Sequence, residues 1–134
     1  YDLISQLLEK NNLLNCEYLF KTYRESNSDT PEDYISDSRR HYQGFDIGEY
    51  CRAIDSYPND FFDLVVIDGA LRHTCMKHAI PKVRSGGYIL LDDSNGPTYL
   101  KNAGLLKEWK RQDFFGPKPA YTKILSPTTI WQKP

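Results

Sequence analysis

The chain of 134 residues is 40% hydrophobic and 26% charged, the mixture of one ordinary globular domain. A formal net charge of −1 gives no electrostatic ground for nucleic acid as the main partner. The longest apolar runs, Leu64–Ile67 and Tyr88–Leu91, are far too short to span a bilayer, so no membrane partner is expected either.

In chain order, Leu3, Ile4, Leu7 and Leu8 fall on one stripe of a helix over Asp2–Lys10, which Asn11 and Asn12 stop. The chain opens on Tyr1 inside this helix without an initiator Met, so a fragment truncated at its N-terminus is expected. Cys16–Lys21, with Tyr18, Leu19 and Phe20, reads as a short buried strand. The polar stretch 22–44 reads as a long surface loop with a helical turn after Pro31. Asp46 and Glu49 resemble a capping box that starts a helix with Ile47, Tyr50, Cys51, Ile54 and Tyr57 on its apolar face, ended by Pro58. Phe62–Ile67 is the clearest strand, closed by Asp68-Gly69. A helix from Leu71 to about Val83 follows, interrupted late by Pro81. Ser85-Gly86-Gly87 is a turn into the strand Tyr88–Leu91, which Asp92-Asp93-Ser94 ends. Pro97 suits the first turn of a further helix, buried through Leu100, Ala103, Leu106 (or Leu105) and Trp109. Phe114-Phe115, a Gly116-Pro117 break and 128–132 read as a closing strand pair with a long connection.

This alternation predicts a single α/β domain over 1–134: a three-layer, mostly parallel sheet with helices on both faces and a C-terminal antiparallel strand pair. Ligands of such sheets bind beyond the carboxyl ends of the strands. Two consecutive strands end there in acid, Asp68 after one and Asp92-Asp93 after the next. Adjacent strands lie about 4.8 Å apart, so these carboxylates can share one ligand. They can equally serve only to end strands and cap helices. Arg72 can steady a carboxylate or a substrate anion, or sit exposed at a helix start.

Three cysteines, Cys16, Cys51 and Cys75, are too few and too scattered for a disulfide framework. Reduced thiols, the absence of a recognisable signal peptide and a cytoplasmic location are the expectation. His73, Cys75 and His78 invite zinc, but no second ligand cluster accompanies them. Tyr34, Arg39, Arg40 and Tyr42 could cover a ligand or form a solvated loop. The ten tyrosines could mark a binding surface or simply fill sheet faces.

The run from Phe62 to Gly69 and the run from Gly86 to Asp93 together resemble the fourth and fifth strands of class I S-adenosylmethionine-dependent methyltransferases. The Ala79-Ile80-Pro81 step and the closing Thr128-Thr129-Ile130-Trp131 are similar to that family too. The resemblance covers roughly the last two thirds of the chain. It implies a Rossmann-like fold, S-adenosylmethionine bound by the full-length protein, and methyl transfer to a small-molecule acceptor. Asp68 and Arg72 would be catalytic, and Asp68 with Gly69 would border the cofactor. In the subfamily resembling catechol O-methyltransferases, Asp68, Asp92 and Asp93 would hold Mg²⁺, with Asp93 in place of an Asn. The family's glycine-rich turn has no counterpart, since only Gly44 and Gly48 precede Gly69. The other reading is a non-catalytic Rossmann-like module that binds a partner or itself. Without its first strands the sheet would bare one edge of Phe62–Ile67. Either the early strand pairs there, or two chains form a homo-oligomer, a dimer, through it.

Overall fold

A computed structural model describes residues 2–36, 42–96, 98, 100–118 and 121–134. Helix α1 (Asp2–Lys10) forms as its periodicity predicts. It ends where Asn12 takes a left-handed conformation, φ 53°, and where the Asn11 side-chain amide donates to the Leu7 carbonyl at 2.7 Å. Leu3, Ile4 and Leu7 remain exposed.

The segment 16–21 is not the strand its residues suggest. It is exposed and joins no sheet. Tyr18, Leu19 and Phe20 have the composition of a strand, but a strand exists only where a neighbour accepts its hydrogen bonds.

The polar stretch that follows is partly ordered by strand β1 (Arg24–Glu25), antiparallel to β2 (Phe45–Asp46). A 3-10 turn over Glu32–Tyr34 follows Pro31, as expected. Helix α2 (Gly48–Cys51) is a single turn, continued by a 3-10 turn over Ala53–Ser56. The capping box does not form. Asp46 belongs to β2, and its carboxylate accepts from the Gly48 amide at 2.8 Å and from Arg24 at 2.8 Å. Glu49 accepts from the Thr22 hydroxyl instead of reaching back.

The rest of the chain builds the main sheet. Strand β3 (Phe62–Ile67) leads into α3 (Arg72–Ala79), and Pro81 converts the helix end into a 3-10 turn over Ile80–Lys82. Strand β4 (Val83–Leu91) begins earlier than expected, because Ser85-Gly86-Gly87 lies within it rather than before it. A Cβ on Gly87 would lie 2.9 Å from the Asp63 carbonyl oxygen and 2.8 Å from Val83, so only glycine lets β3 and β4 approach here. The anticipated α-helix after Asp93 is replaced by turns and a 3-10 segment over Ala103–Leu106. Gly104 weakens helix propensity there. Leu106 is buried and Leu105 exposed, and Pro97 lies outside the described residues. Strands β5 (Lys110–Lys118) and β6 (Tyr121–Gln132) form a long antiparallel hairpin instead of a short pair with a long connection. Gly116 and Pro117 sit inside β5, which tolerates a proline because it is an edge strand.

The strand order is β3-β4-β6-β5, with β3 and β4 parallel and the other two pairings antiparallel. The α/β class stands, but a mostly parallel sheet does not, because half its strands come from the closing hairpin. Ile67, Ile89, Leu91 and Trp131 line one face and pack with Met76 and Ala79 of α3, Val83 and Leu106. On the other face Leu64, Val66 and Tyr88 are exposed. Among the described residues the core therefore covers one face of the sheet, not both. A smaller cluster of Ile47, Cys51 and Leu71 joins α2 to α3. Among the described residues no helix is long and apolar enough to cross a membrane.

Candidate functional site

The parallel pairing of Ile67 with Leu91 brings the ends of β3 and β4 side by side, and the Asp92 amide donates to the Ile67 carbonyl at 3.1 Å. Asp68, Asp92 and Asp93 consequently share one rim, as their positions in the sequence suggest. Arg72, the first residue of α3, turns back into this rim and is buried. Its Nη2 donates to Asp68 Oδ1 at 2.9 Å and its Nε to the Gly69 carbonyl at 3.0 Å. Its Nη1 donates to the Asp92 carbonyl and lies 3.8 Å from the Asp92 carboxylate and 3.9 Å from that of Asp93. The guanidinium is thus the hub of the acids, not an exposed helix-start charge. Asp68 keeps the most accessible carboxylate of the three, its side chain 60% exposed.

Strand β6 supplies partners that sequence reasoning missed. Thr128 donates to Asp92 Oδ1 at 3.0 Å, and Ser126 donates to Asp93. Nearby, Thr129 donates to Asp113 at 2.6 Å, and that bond, helped by Arg111, holds the Asp113 carboxyl below its usual range against the effect of burial. The clue was the hydroxyl run Ser126-Pro127-Thr128-Thr129, but which acids it meets depends on the β4–β6 pairing. Two non-glycine residues at the rim adopt left-handed backbone, Leu71 at φ 45° and Asp93 at φ 50°. Such conformations cost on the order of 1–3 kcal/mol and gather at functional sites.

The arrangement does not suit Mg²⁺. The place between the three carboxylates is taken by the Arg72 guanidinium, and among the described residues no three His, Cys, Asp or Glu side chains gather as a ligand set. Zinc at His73, Cys75 and His78 fares no better. His78 is bound through one nitrogen to Asp55 at 2.9 Å and through the other to the Tyr34 hydroxyl at 3.1 Å. Tyr34 lies 4.6 Å under the Arg52 guanidinium and shares a hydrogen bond with His78. Tyr42 rests on Tyr23, their rings 4.5 Å apart, and Arg39 and Arg40 lie outside the described residues.

A cavity of about 380 Å³ adjoins the rim, lined by Tyr18, Phe20, Tyr23, Tyr42, Tyr50 and Ala70 among others. The segment expected to be a strand forms its wall. A Cβ on Gly69 would lie 2.1 Å from the Tyr50 hydroxyl, so the missing side chain is what lets Tyr50 close over this turn. Burial raises the Tyr50 phenol to about 12, with the Cys75 and Cys51 thiols adding to it. At neutral pH this hydroxyl therefore stays protonated.

No protein-family model matches the chain, and no curated protein does. Seven chains of solved structures match. One is the O-methyltransferase from Bacillus cereus in complex with SAH, with a TM-score of 0.49 and 14% sequence identity. The match covers 64% of this chain and 46% of that one, so the chain spans just under half the length of that protein. A likeness so distant carries no function across.

Proposed function

We propose that this chain is the later portion of a methyltransferase-like α/β module whose reaction crevice lies at the carboxyl ends of β3 and β4. The observation that carries this reading is the convergence of Asp68, Asp92 and Asp93 on Arg72 at one end of two adjacent parallel strands. S-adenosylmethionine would supply an electrophilic methyl group there. Asp68 and Gly69 would border it, and the glycine-rich turn for its methionine end has no counterpart in this sequence. The residues present would thus hold one side of the cofactor only. Asp68 Oδ1 is tied to Arg72, which fixes the carboxylate, while its exposed part faces solvent and can accept the proton of an acceptor hydroxyl as that oxygen attacks. Asp92 and Asp93, held by Thr128 and Ser126, keep Arg72 in place.

Calorimetric titration with S-adenosylhomocysteine tests this, on the chain itself and on any longer natural chain containing it. Micromolar binding is expected for the longer chain, weakened about tenfold or more (1.4 kcal/mol) by Asp68→Asn. No heat from either chain overturns the reading.

One observation favours a second reading, a module that associates with itself. The outer edge of β3 pairs with no strand among the described residues, and on this strand Leu64 and Val66 are 50% and 56% exposed. The segment 16–21 does not cover that edge, which overturns the expectation that it would pair there. A bare apolar edge invites a second chain. Sedimentation at rising concentration distinguishes the readings: a dimer abolished by Val65→Pro supports association, and a monomer throughout removes it.

A further inference from the structure

We propose that Cys51 and Cys75 form a reactive dithiol, which a small disulfide of the glutathione type oxidises to an intramolecular disulfide joining α2 to α3. Cys51 is 2% exposed and belongs to the cluster with Ile47 and Leu71, and Cys75, half-buried on α3, packs against that same cluster. The Cys51 and Cys75 side chains meet at this cluster, and the Cys75 thiol donates to the Ala70 carbonyl oxygen at 3.6 Å. The third cysteine, Cys16, stands apart on the exposed segment after α1. Neither member of the pair is used by the acid rim, yet both flank it. Tyr50, which closes over Gly69, directly precedes Cys51, and Ala70 directly follows Gly69.

The asymmetry of the pair assigns the roles. Proximity to Cys51 lowers the Cys75 thiol against the effect of burial, whereas proximity to Cys75 together with burial pushes Cys51 up. Cys75 is also the less buried residue of the two, which gives it the first attack. Its thiolate attacks one sulfur of oxidised glutathione, the reagent's S–S bond breaks, and one glutathione thiolate leaves. Cys51 then gives up its proton and attacks the Cys75 sulfur, releasing the second glutathione. Two protein thiols are oxidised, one reagent disulfide is reduced, and the two protons end on the two glutathiones. The product ties the turn bearing Tyr50 to the helix that follows Asp68-Gly69-Ala70.

The test uses the Cys16→Ser chain incubated with oxidised glutathione, followed by intact mass and peptide mapping after alkylation without reductant. The expected product is lighter by two hydrogens and yields a linked Cys51–Cys75 peptide pair. Adding Cys51→Ser should arrest the reaction at a stable glutathione adduct on Cys75. Adding Cys75→Ser should slow modification of the remaining, buried thiol about tenfold or more. The map of the Cys16→Ser chain decides the matter even if either added substitution unfolds it. A persistent adduct on Cys75 with Cys51 still open to alkylation, or both thiols unmodified under conditions that oxidise a free dithiol peptide, overturns the proposal.

Discussion

The two faces of the main sheet are made of nearly the same material and live in opposite surroundings. Along β3 and β4, Ile67, Ile89 and Leu91 are buried while their sequence neighbours Leu64, Val66 and Tyr88 stand open. Both sets are apolar and both alternate with period two. What separates them is α3 and the 3-10 segment bearing Leu106, which pack on one side only. The comparison teaches that an unbroken apolar strand reports the capacity for two covered faces, not their presence. The carboxyl-end rim lies between these regimes, with a buried guanidinium joined to carboxylates that reach solvent.

Substitutions ranked by expected effect can break or sharpen that contrast. Trp131→Ala empties the centre of the covered face, where the side chain is fully buried, and should cost about 3–5 kcal/mol in urea unfolding. A loss under about 1 kcal/mol would mean the covered face is not packed as described. Arg72→Ala removes the hub of the rim and leaves three carboxylates and two carbonyls without it. A loss of about 2–3 kcal/mol is expected, with raised NaCl restoring part of it by screening the acids.

Away from the sheet, Asp46 offers a graded test. Burial pushes its carboxyl up, but the Gly48 amide and Arg24 together outweigh this, and its folded value lies below the ordinary 3.8. A lowered folded value means the carboxylate adds stability that is complete above the unfolded value and lost as pH falls through the folded one. Asp46→Asn should therefore cost about 1–2 kcal/mol at pH 7 and flatten the loss of stability below about pH 4. An unchanged acid limb would remove Asp46 from that account. The smallest effect belongs to the open face: Val66→Lys should change the stability of the isolated chain by no more than about 0.5 kcal/mol. A cost near that of Trp131→Ala would reveal that this face is covered, and its dependence on protein concentration would say whether a second chain covers it.

The acid rim was legible because strand-ending aspartates after two consecutive strands need only parallel adjacency to meet. Arg72 was legible as a nearby cation but not as the hub, since reaching Asp92 and Asp93 requires the β3–β4 register. Thr128 and Ser126 were not legible as partners, because β6 comes from residues more than 30 positions beyond the acids they bind. The helices after Asp46 and Asp93 were over-read for a similar reason. Capping residues and apolar spacing favour a helix locally, but Asp46 is drawn into β2 and held by Arg24, and Gly104 sat in the later segment.

The sequence by itself determined the elements whose local signal is strong: α1, β3, α3 and the strand into Leu91, together with the acids at their ends. These follow from side-chain spacing and short-range sterics, which act within a few residues. Only the tertiary structure decided that the segment 16–21 stays out of the sheet, that the closing hairpin makes half the sheet antiparallel, and that, among the described residues, one face is bare. Each of those outcomes depends on which distant strand or helix supplies hydrogen bonds and cover, and no residue specifies that alone.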